Sequence, residues 1–291
     1  MSAWSFAISK RWFGYLALVI VFAIVCCLLG WWQLNRRAEA WQEIDRVDNN
    51  YAAEPLPIAD VLPKLTSFSP DQKWKPVTVS GTYLVDEQVL VRNRPFNGQP
   101  GFDVIVPLQQ DDGSVFIVDR GWVATGDEQD SPDSVPAAPT GEVTVTARIK
   151  AGEPTLPGRS APEGQIATIQ LDDLAKLTGA PTYTGAYGLM VTESPGTEVR
   201  PAASPKPVRD EGPHLSYALQ WFVFALLAFI GLGWALRQEY RVVNADDPEE
   251  RERAEARRKK DAARTRSDSE IEDALIDDAL LDDALLDDAR R

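Results

Sequence analysis

One histidine, two cysteines and two methionines are all that the 291-residue chain contains of these types, and the scarcity excludes several chemistries at once. Cys26 and Cys27 are adjacent within a long apolar run, after an Ala-Ile-Val that is not a convincing lipidation context, so both read as small apolar helix residues. The segment from Arg37 to Glu211 has no cysteine and no histidine, and Met190 is its lone thioether. A Cys-x-x-Cys oxidoreductase is thereby excluded, as is copper delivery, which needs soft or imidazole ligands in numbers. No histidine is left for a triad, and neither a serine nucleophile elbow nor a phosphate-binding glycine loop occurs. A non-enzyme is expected.

Charge is the second scarcity. From Trp12 to Asn35, and again from His214 to Leu236, there is no Asp, Glu, Lys or Arg. Each run is long enough for the roughly 20 apolar residues that cross a bilayer core. Trp12 beside Arg11, Trp31 and Trp32 ahead of Arg36 and Arg37, and Trp234 ahead of Arg237 have the composition of interfacial anchors. The first run also reads as a signal peptide after Lys10 and Arg11. Its length and its bulky end, GWWQLNRR, without a small-residue cleavage site, favour retention, and the amino terminus lacks the Arg- and Ser-rich character of a transit peptide.

Basic residues set the orientation. Lys10 and Arg11 before the first span and RERAEARRKKDAARTR after the second put both termini in the cytoplasm. Arg36 and Arg37 oppose this, but a segment as long as the middle one translocates largely regardless of charge. The expected organisation is a cytoplasmic amino terminus over 1–11, a transmembrane helix over 12–35, an extracytoplasmic β-rich domain over 36–211, a second transmembrane helix over 212–236 and a cytoplasmic charged tail over 237–291.

In the middle segment, KPVTVSGTYL, EQVLVRNRP, GFDVIVPLQ, SVFIVDRGWV and EVTVTARIK are short, rich in Val, Ile and Thr, and partly alternating. Asn97-Gly98, Asp111-Asp112-Gly113 and SPDSVPAAPTG separate them as turns. Consecutive antiparallel strands follow, forming a small sheet, sandwich or open barrel. IATIQLDDLAKLTG predicts a strand leading into a short helix, capped by Asp172 or Asp173 and stopped by Gly179. YGLMVTESP predicts a last strand, and PAASPKPVRDEGP a tether back to the membrane. Beyond Val243 a basic block precedes the acidic repeat DALIDDALLDDALLDDARR. This tail reads as solvated and disordered or loosely helical, or as a docking segment for a basic partner. The fold class is thus an α+β membrane protein: two transmembrane helices flanking a mostly antiparallel β exterior domain, with a charged, disordered C-terminal tail.

The single histidine opens the second apolar run. His214, Tyr217 and Trp221 are spaced i, i+3, i+7, which places an imidazole, a phenol and an indole on one helix face. With Arg36 and Arg37 as propionate partners, that is the composition of a haem site. A histidine at a helix end is also an ordinary interfacial polar residue, and tryptophans and arginines there anchor and snorkel.

Four stretches resemble the surfeit locus protein 1 family, which assists assembly of cytochrome c oxidase. LGWWQLNRR is similar to the family signature at the end of its first span, through Gly30, Trp32, Gln33 and Arg36. KPVTVSGTY, VLVRNRP and GFDVIVPL carry the family's Pro-Val, Gly and Arg as Pro76, Val77, Gly81 and Arg94. VDRGWV resembles its Asn-Arg-Gly-Trp-Val motif with Asp119 for the usual Asn, and Ala124 stands where proline often follows. HLSYALQWFVFA resembles the second-span signature, here preceded by Gly212-Pro213 where an Asn commonly stands. The resemblance implies an assembly factor for an aa3-type haem-copper oxidase in a bacterial cell membrane, assisting haem a insertion into the catalytic subunit at the outer interface. Its implied partners are that subunit, the haem a synthesis machinery and the lipid bilayer, with no nucleic acid and no copper. It points to His214 as axial ligand of a transient haem a. Tyr217 and Trp221 as walls, and Arg36 toward a propionate, are geometric additions. A scaffold or accessory oxidase subunit that binds no haem is the alternative. Arg120, Gly121 and Trp122 read either as a partner contact or as a strand end with a buried Trp and a turn glycine.

Overall fold

The computed structural model describes residues 4–127 and 130–262. It divides into two compact units, Leu34–His214 and the remainder, Met1–Gln33 with Leu215–Arg291.

In the second of these units two helices are long and apolar enough to cross a membrane: α1 (Lys10–Asn50), by its first half, and α4 (His214–Val243). Phe13, Leu18, Val21 and Ile24 on α1, and Leu226, Leu227 and Ile230 on α4, expose their side chains, as a lipid-facing surface would. The helices meet through small residues. Ala23, Cys26 and Ala225 are buried together with Trp221 against them, and a Cβ on Gly30 would stand 2.8 Å from the Phe222 ring. Such close approach is how helices associate where no water drives them together. After α4, the helix α5 (Pro248–Ala262) occupies the basic half of the tail. Of the disordered and loosely helical alternatives expected of the tail, the helical one holds there. Ala, Glu, Arg and Lys are strong helix formers, and Glu249 pairs with Arg253 at i, i+4 while Glu250 pairs with Arg253 and Arg257. The acidic repeat lies outside the described residues.

The unit Leu34–His214 is built on strands. The outer half of α1 is followed by β1 (Leu56–Pro57), α2 (Ile58–Val61), β2 (Pro76–Tyr83), β3 (Val89–Val91), β4 (Gly101–Gln109), β5 (Val115–Ala124), β6 (Glu142–Ala151), β7 (Gln165–Ile166), α3 (Leu171–Thr178) and β8 (Ala186–Ser194). The sheet runs β1-β2-β6-β8-β5-β4-β3-β7, and β2 also pairs with β4, so β2, β6, β8, β5 and β4 form a closed barrel. Of the small sheet, sandwich or open barrel expected, the barrel is what forms, and it is closed. Closure rests on Gly81, next to the pairings Thr82 with Gln109 and Tyr83 with Leu108, where a Cβ would stand 2.1 Å from the Gln109 carbonyl oxygen. The barrel pairs are antiparallel except β5 with β8, which are parallel because β8 inserts between β5 and β6, two strands that run in opposite directions.

Alternation fills two layers. Val77, Val79, Val104, Val106, Phe116, Val118, Val145 and Ala147 point into the barrel. Val89, Ile105, Val115, Ile117 and Tyr187 point outward and are covered by Ile169, Leu171 and Leu174 of α3 and its approach. α3 begins at Leu171 with Gln170 as its uncapped start, so Asp172 and Asp173 lie in its first turn instead of capping it; Gly179 ends it at φ +61° as expected. Asn97 and Gly98, at φ +49° and +79°, form the two-residue turn expected of them, bridging Phe96 and Gln99.

Candidate functional site

The Arg-Gly-Trp of β5 is a bulge. Asp103 faces Trp122 and Ile105 faces Asp119, so Arg120 and Gly121 together oppose the single residue Val104. Arg120 follows Phe116 and Val118 into the barrel by alternation, and the extra residue then turns Trp122 outward, with its Nε1 donating to the Arg94 carbonyl at 2.6 Å. Gly121 has φ +125°, and a Cβ there would stand 2.4 Å from the Ala202 carbonyl oxygen. Ala202 exchanges both backbone hydrogen bonds with Trp122, which fastens the proline-rich 201–211 segment to the barrel. The motif is therefore built into the fold, but as a bulge within β5 with a half-buried Trp122, in place of the expected strand end with a buried Trp and a turn glycine.

Inside the barrel, the Arg120 guanidinium donates to both oxygens of Glu193 at 2.7 and 3.2 Å and to the Pro136 carbonyl at 3.0 Å. The Tyr83 hydroxyl donates to Glu193 at 3.1 Å, and burial together with that carboxylate raises the Tyr83 pKa. A second bulge brings Glu193 there. Thr146 faces Thr192 but Ala147 faces Met190, which leaves Val191 as the extra residue and inverts the alternation of β8.

Outside the barrel, Asp119 is buried beside Asp103, Tyr187, Arg94 and Glu153. Arg94 pairs with Asp103 at 3.0 Å and Glu153 at 2.5 Å. Burial, and then the charge of Asp103, push the Asp119 carboxyl up to about 8; burial pushes Asp103 to about 6 against the pull of Arg94. Asp119 keeps one fixed role, accepting the Gly121 N–H at 2.9 Å.

The approach to His214 is held by its own set of contacts. Glu211 accepts from Trp41 Nε1 at 2.7 Å and pairs with Arg37 at 3.1 Å; Arg209 pairs with Asp48 at 3.1 Å and lies over the Trp41 ring. The Gly212 N–H donates to Asp210 at 2.8 Å, with Gly212 at φ +67°. A Cβ on Gly212 would stand 3.1 Å from His214 Nε2, so glycine is what lets the chain pass this close to the imidazole. His214, the first residue of α4, is partly exposed.

Of the four residues expected to form the site, His214 and Arg36 fall in this unit. Arg36 turns away to pair with Glu39 at 2.6 Å, and its neighbour Arg37 reaches the 209–211 segment instead. Tyr217 and Trp221 lie farther along α4 in the other unit. Tyr217 is 48% exposed; Trp221 is half-buried against Ala23, Cys26 and Ala225 and edge-on to Phe224. Sequence reasoning missed Trp41 and Glu211 altogether. The signal available for them was an indole and a carboxylate at the two ends of the domain, next to the quoted motifs. Among the described residues, no group of three or more His, Cys, Asp or Glu side chains could hold a metal ion.

These features define a class: a closed β-barrel with a buried ion pair, inserted between two long apolar helices, with a lone imidazole where the second begins. The chain belongs to the SURF1 family, whose match spans residues 20–226. It is 34% identical to an uncharacterised SURF1-like protein of Mycobacterium tuberculosis over 242 residues, 81% of this chain and 88% of the relative. It is 32% identical to the cytochrome oxidase assembly protein SHY1 of Saccharomyces cerevisiae over 133 residues, 43% of this chain and 32% of the relative. A SURF1-like protein of Rickettsia bellii is 22% identical over 213 residues, 71% of this chain and 84% of that one.

Proposed function

We propose that this protein is a membrane-embedded assembly factor for haem-copper cytochrome c oxidase, and that it holds haem a at His214 for insertion into the catalytic subunit. The assembly role is supported by membership of the SURF1 family and by the similarity to SHY1, a cytochrome oxidase assembly protein. Two helices of membrane-crossing length support a bilayer location, with α1 running outward, α4 returning, and the barrel on the extracytoplasmic side.

The single observation that carries the haem reading is the preparation of His214. It is the chain's only imidazole, it starts α4, the backbone at Gly212 passes close beside it, and the preceding segment is fixed by Trp41, Arg37 and Asp48. One imidazole and, among the described residues, no further ligand set fits a group that brings its own macrocycle. When bound, haem a supplies iron already held by four ring nitrogens. The chain's part would be one imidazole nitrogen from His214, an apolar surface from Tyr217 and Trp221 on the same helix, and a cation from Arg36. Arg36 has only a surface ion pair to exchange, worth about 0–1 kcal/mol. The protein acts by transfer and not by catalysis: a group held by one side-chain ligand at the membrane edge would load and release more readily than one held by two.

The test is the absorption spectrum of the detergent-purified protein, expressed where haem a is made, beside His214→Ala. Soret and α bands in the parent that vanish in the variant at equal yield are expected. A colourless parent, or bands indifferent to the substitution, overturns haem binding and leaves a scaffold that stays with the oxidase.

A further inference from the structure

At the end of α4 remote from His214, the last apolar turn, the first basic residues beyond it, helix α5 and Trp4 enclose a cavity of about 700 Å³. Four guanidinium groups line it, from Arg237, Arg241, Arg253 and Arg257, against one carboxylate. That carboxylate, Glu250, is only 6% exposed and is taken up by Arg257 at 2.6 Å and Arg253 at 3.7 Å. Arg237 and Arg241 make no ion pair within 4 Å among the described residues, so the cavity keeps a net positive charge that no described residue answers.

The walls are not those of a site for a small soluble anion. Trp4 stacks on Tyr240 with ring centroids 4.5 Å apart, and Gly233 and Leu236, the remaining lining, belong to the uncharged run. One side is thus apolar, the middle aromatic, and the far side guanidinium. Arg237 is the first charged residue after the run that begins at His214, and Arg11, the last before the apolar run of α1, pairs with Glu239 at the same level. That is the depth at which a bilayer changes from acyl chains to phosphates, where amphipathic aromatics and arginines are placed to meet both.

We infer that this cavity binds the phosphate headgroup of an anionic phospholipid, with its glycerol and first acyl carbons against Gly233 and Leu236. Guanidinium groups match phosphate oxygens in paired hydrogen bonds, and Glu250 holds Arg253 and Arg257 in place without cancelling Arg237 and Arg241. The inference rests on the reading that α1 and α4 cross a bilayer.

The experiment uses the full chain in nanodiscs of phosphatidylcholine containing increasing phosphatidylglycerol, with bound lipid counted by native mass spectrometry after release into detergent. Retention of phosphatidylglycerol over phosphatidylcholine is expected. Arg237→Gln with Arg241→Gln weakens it by about 30-fold, at roughly 1 kcal/mol for each arginine. Arg258→Gln with Lys259→Gln removes the same charge from exposed positions on α5 outside the cavity and leaves retention within about threefold. Equal weakening by both pairs means diffuse attraction to the surface and overturns the site. Displacement by millimolar inorganic phosphate overturns the lipid assignment in favour of a free anion. Sodium carbonate extraction of membranes separates the two layers of argument. A chain that washes off fails the bilayer reading, whereas one that stays but shows no preference for phosphatidylglycerol fails the headgroup site alone.

Discussion

Arg120 and Glu193 meet in the interior of the barrel as a two-pronged ion pair, both side chains wholly buried, with the Tyr83 hydroxyl as a third member. Their separation of 73 residues is bridged by two bulges, one in β5 and one in β8.

Breaking that pair from one side leaves a charge in an apolar core. Arg120→Met or Glu193→Leu alone is expected to destabilise the protein by about 3–5 kcal/mol, whereas the double substitution loses far less than the sum. Urea unfolding of the detergent-solubilised chain, followed by tryptophan fluorescence, checks both statements, and strict additivity would count against a coupled pair.

Gly81→Ala forces a methyl against the Gln109 carbonyl at the point where the barrel closes. A loss on the order of 2–4 kcal/mol is expected, from strain and not from lost packing. Gly113→Ala, at a turn where a Cβ has open space but φ is +80°, costs only the backbone penalty of about 1 kcal/mol. A comparable loss at the two positions would remove the steric argument for closure.

Acidity separates Asp119 from its neighbours. An unfolded Asp titrates near 3.9, and in the folded barrel the Asp119 carboxyl holds its proton to about 8 and Asp103 to about 6. Raised folded values mean that their contribution is fully present below about pH 4 and is lost as pH rises through 6 and then 8. Glu153, held low by Arg94 against its burial, matters only at the acid end. Asp119→Asn, which keeps an oxygen for the Gly121 N–H, is expected to flatten the melting temperature between pH 6 and 9 and to raise it at pH 9. An unchanged pH profile would refute the assignment.

Glu211→Gln releases the ion pair with Arg37 while the amide still accepts from Trp41; Trp41→Phe releases the other half. On the proposed function, each lowers the haem content of the purified protein roughly 3–10-fold without abolishing the bands that His214→Ala removes. Equal effects from Lys176→Gln, which removes an exposed ion pair on α3, and from Arg37→Gln would show that positioning by Arg37 is not the reason. Unfolding midpoints measured alongside distinguish positioning of His214 from general destabilisation.

Much of the architecture was legible locally. The two uncharged runs, the β-branched alternations, Asn97-Gly98 and Gly179 each specify an element through side chains within a few residues of one another. The charged tail after Val243 left coil and helix open at α5 because its composition suits both, and the ion pairs of Glu250 decide between them. His214 was legible as a candidate because a lone imidazole stands out. Its supports were not, since Trp41 and Glu211 are 170 residues apart and neither carries a motif.

What the sequence determined by itself is the order of elements and where water is excluded: two uncharged runs, a set of strands between them, and one imidazole at a boundary. Those follow from backbone propensity and the hydrophobic effect, which act residue by residue. Only the tertiary structure decided that the strands close into a barrel, that β5 lies parallel to β8, and that Arg120 and Glu193 face inward. Strict alternation assigns Glu193 to the outside with Tyr187 and Leu189. A single extra residue, Val191, reverses that parity. A bulge is specified by pairing with a distant strand and by the energy of burying the charge opposite its partner, and neither is present until the chain has folded.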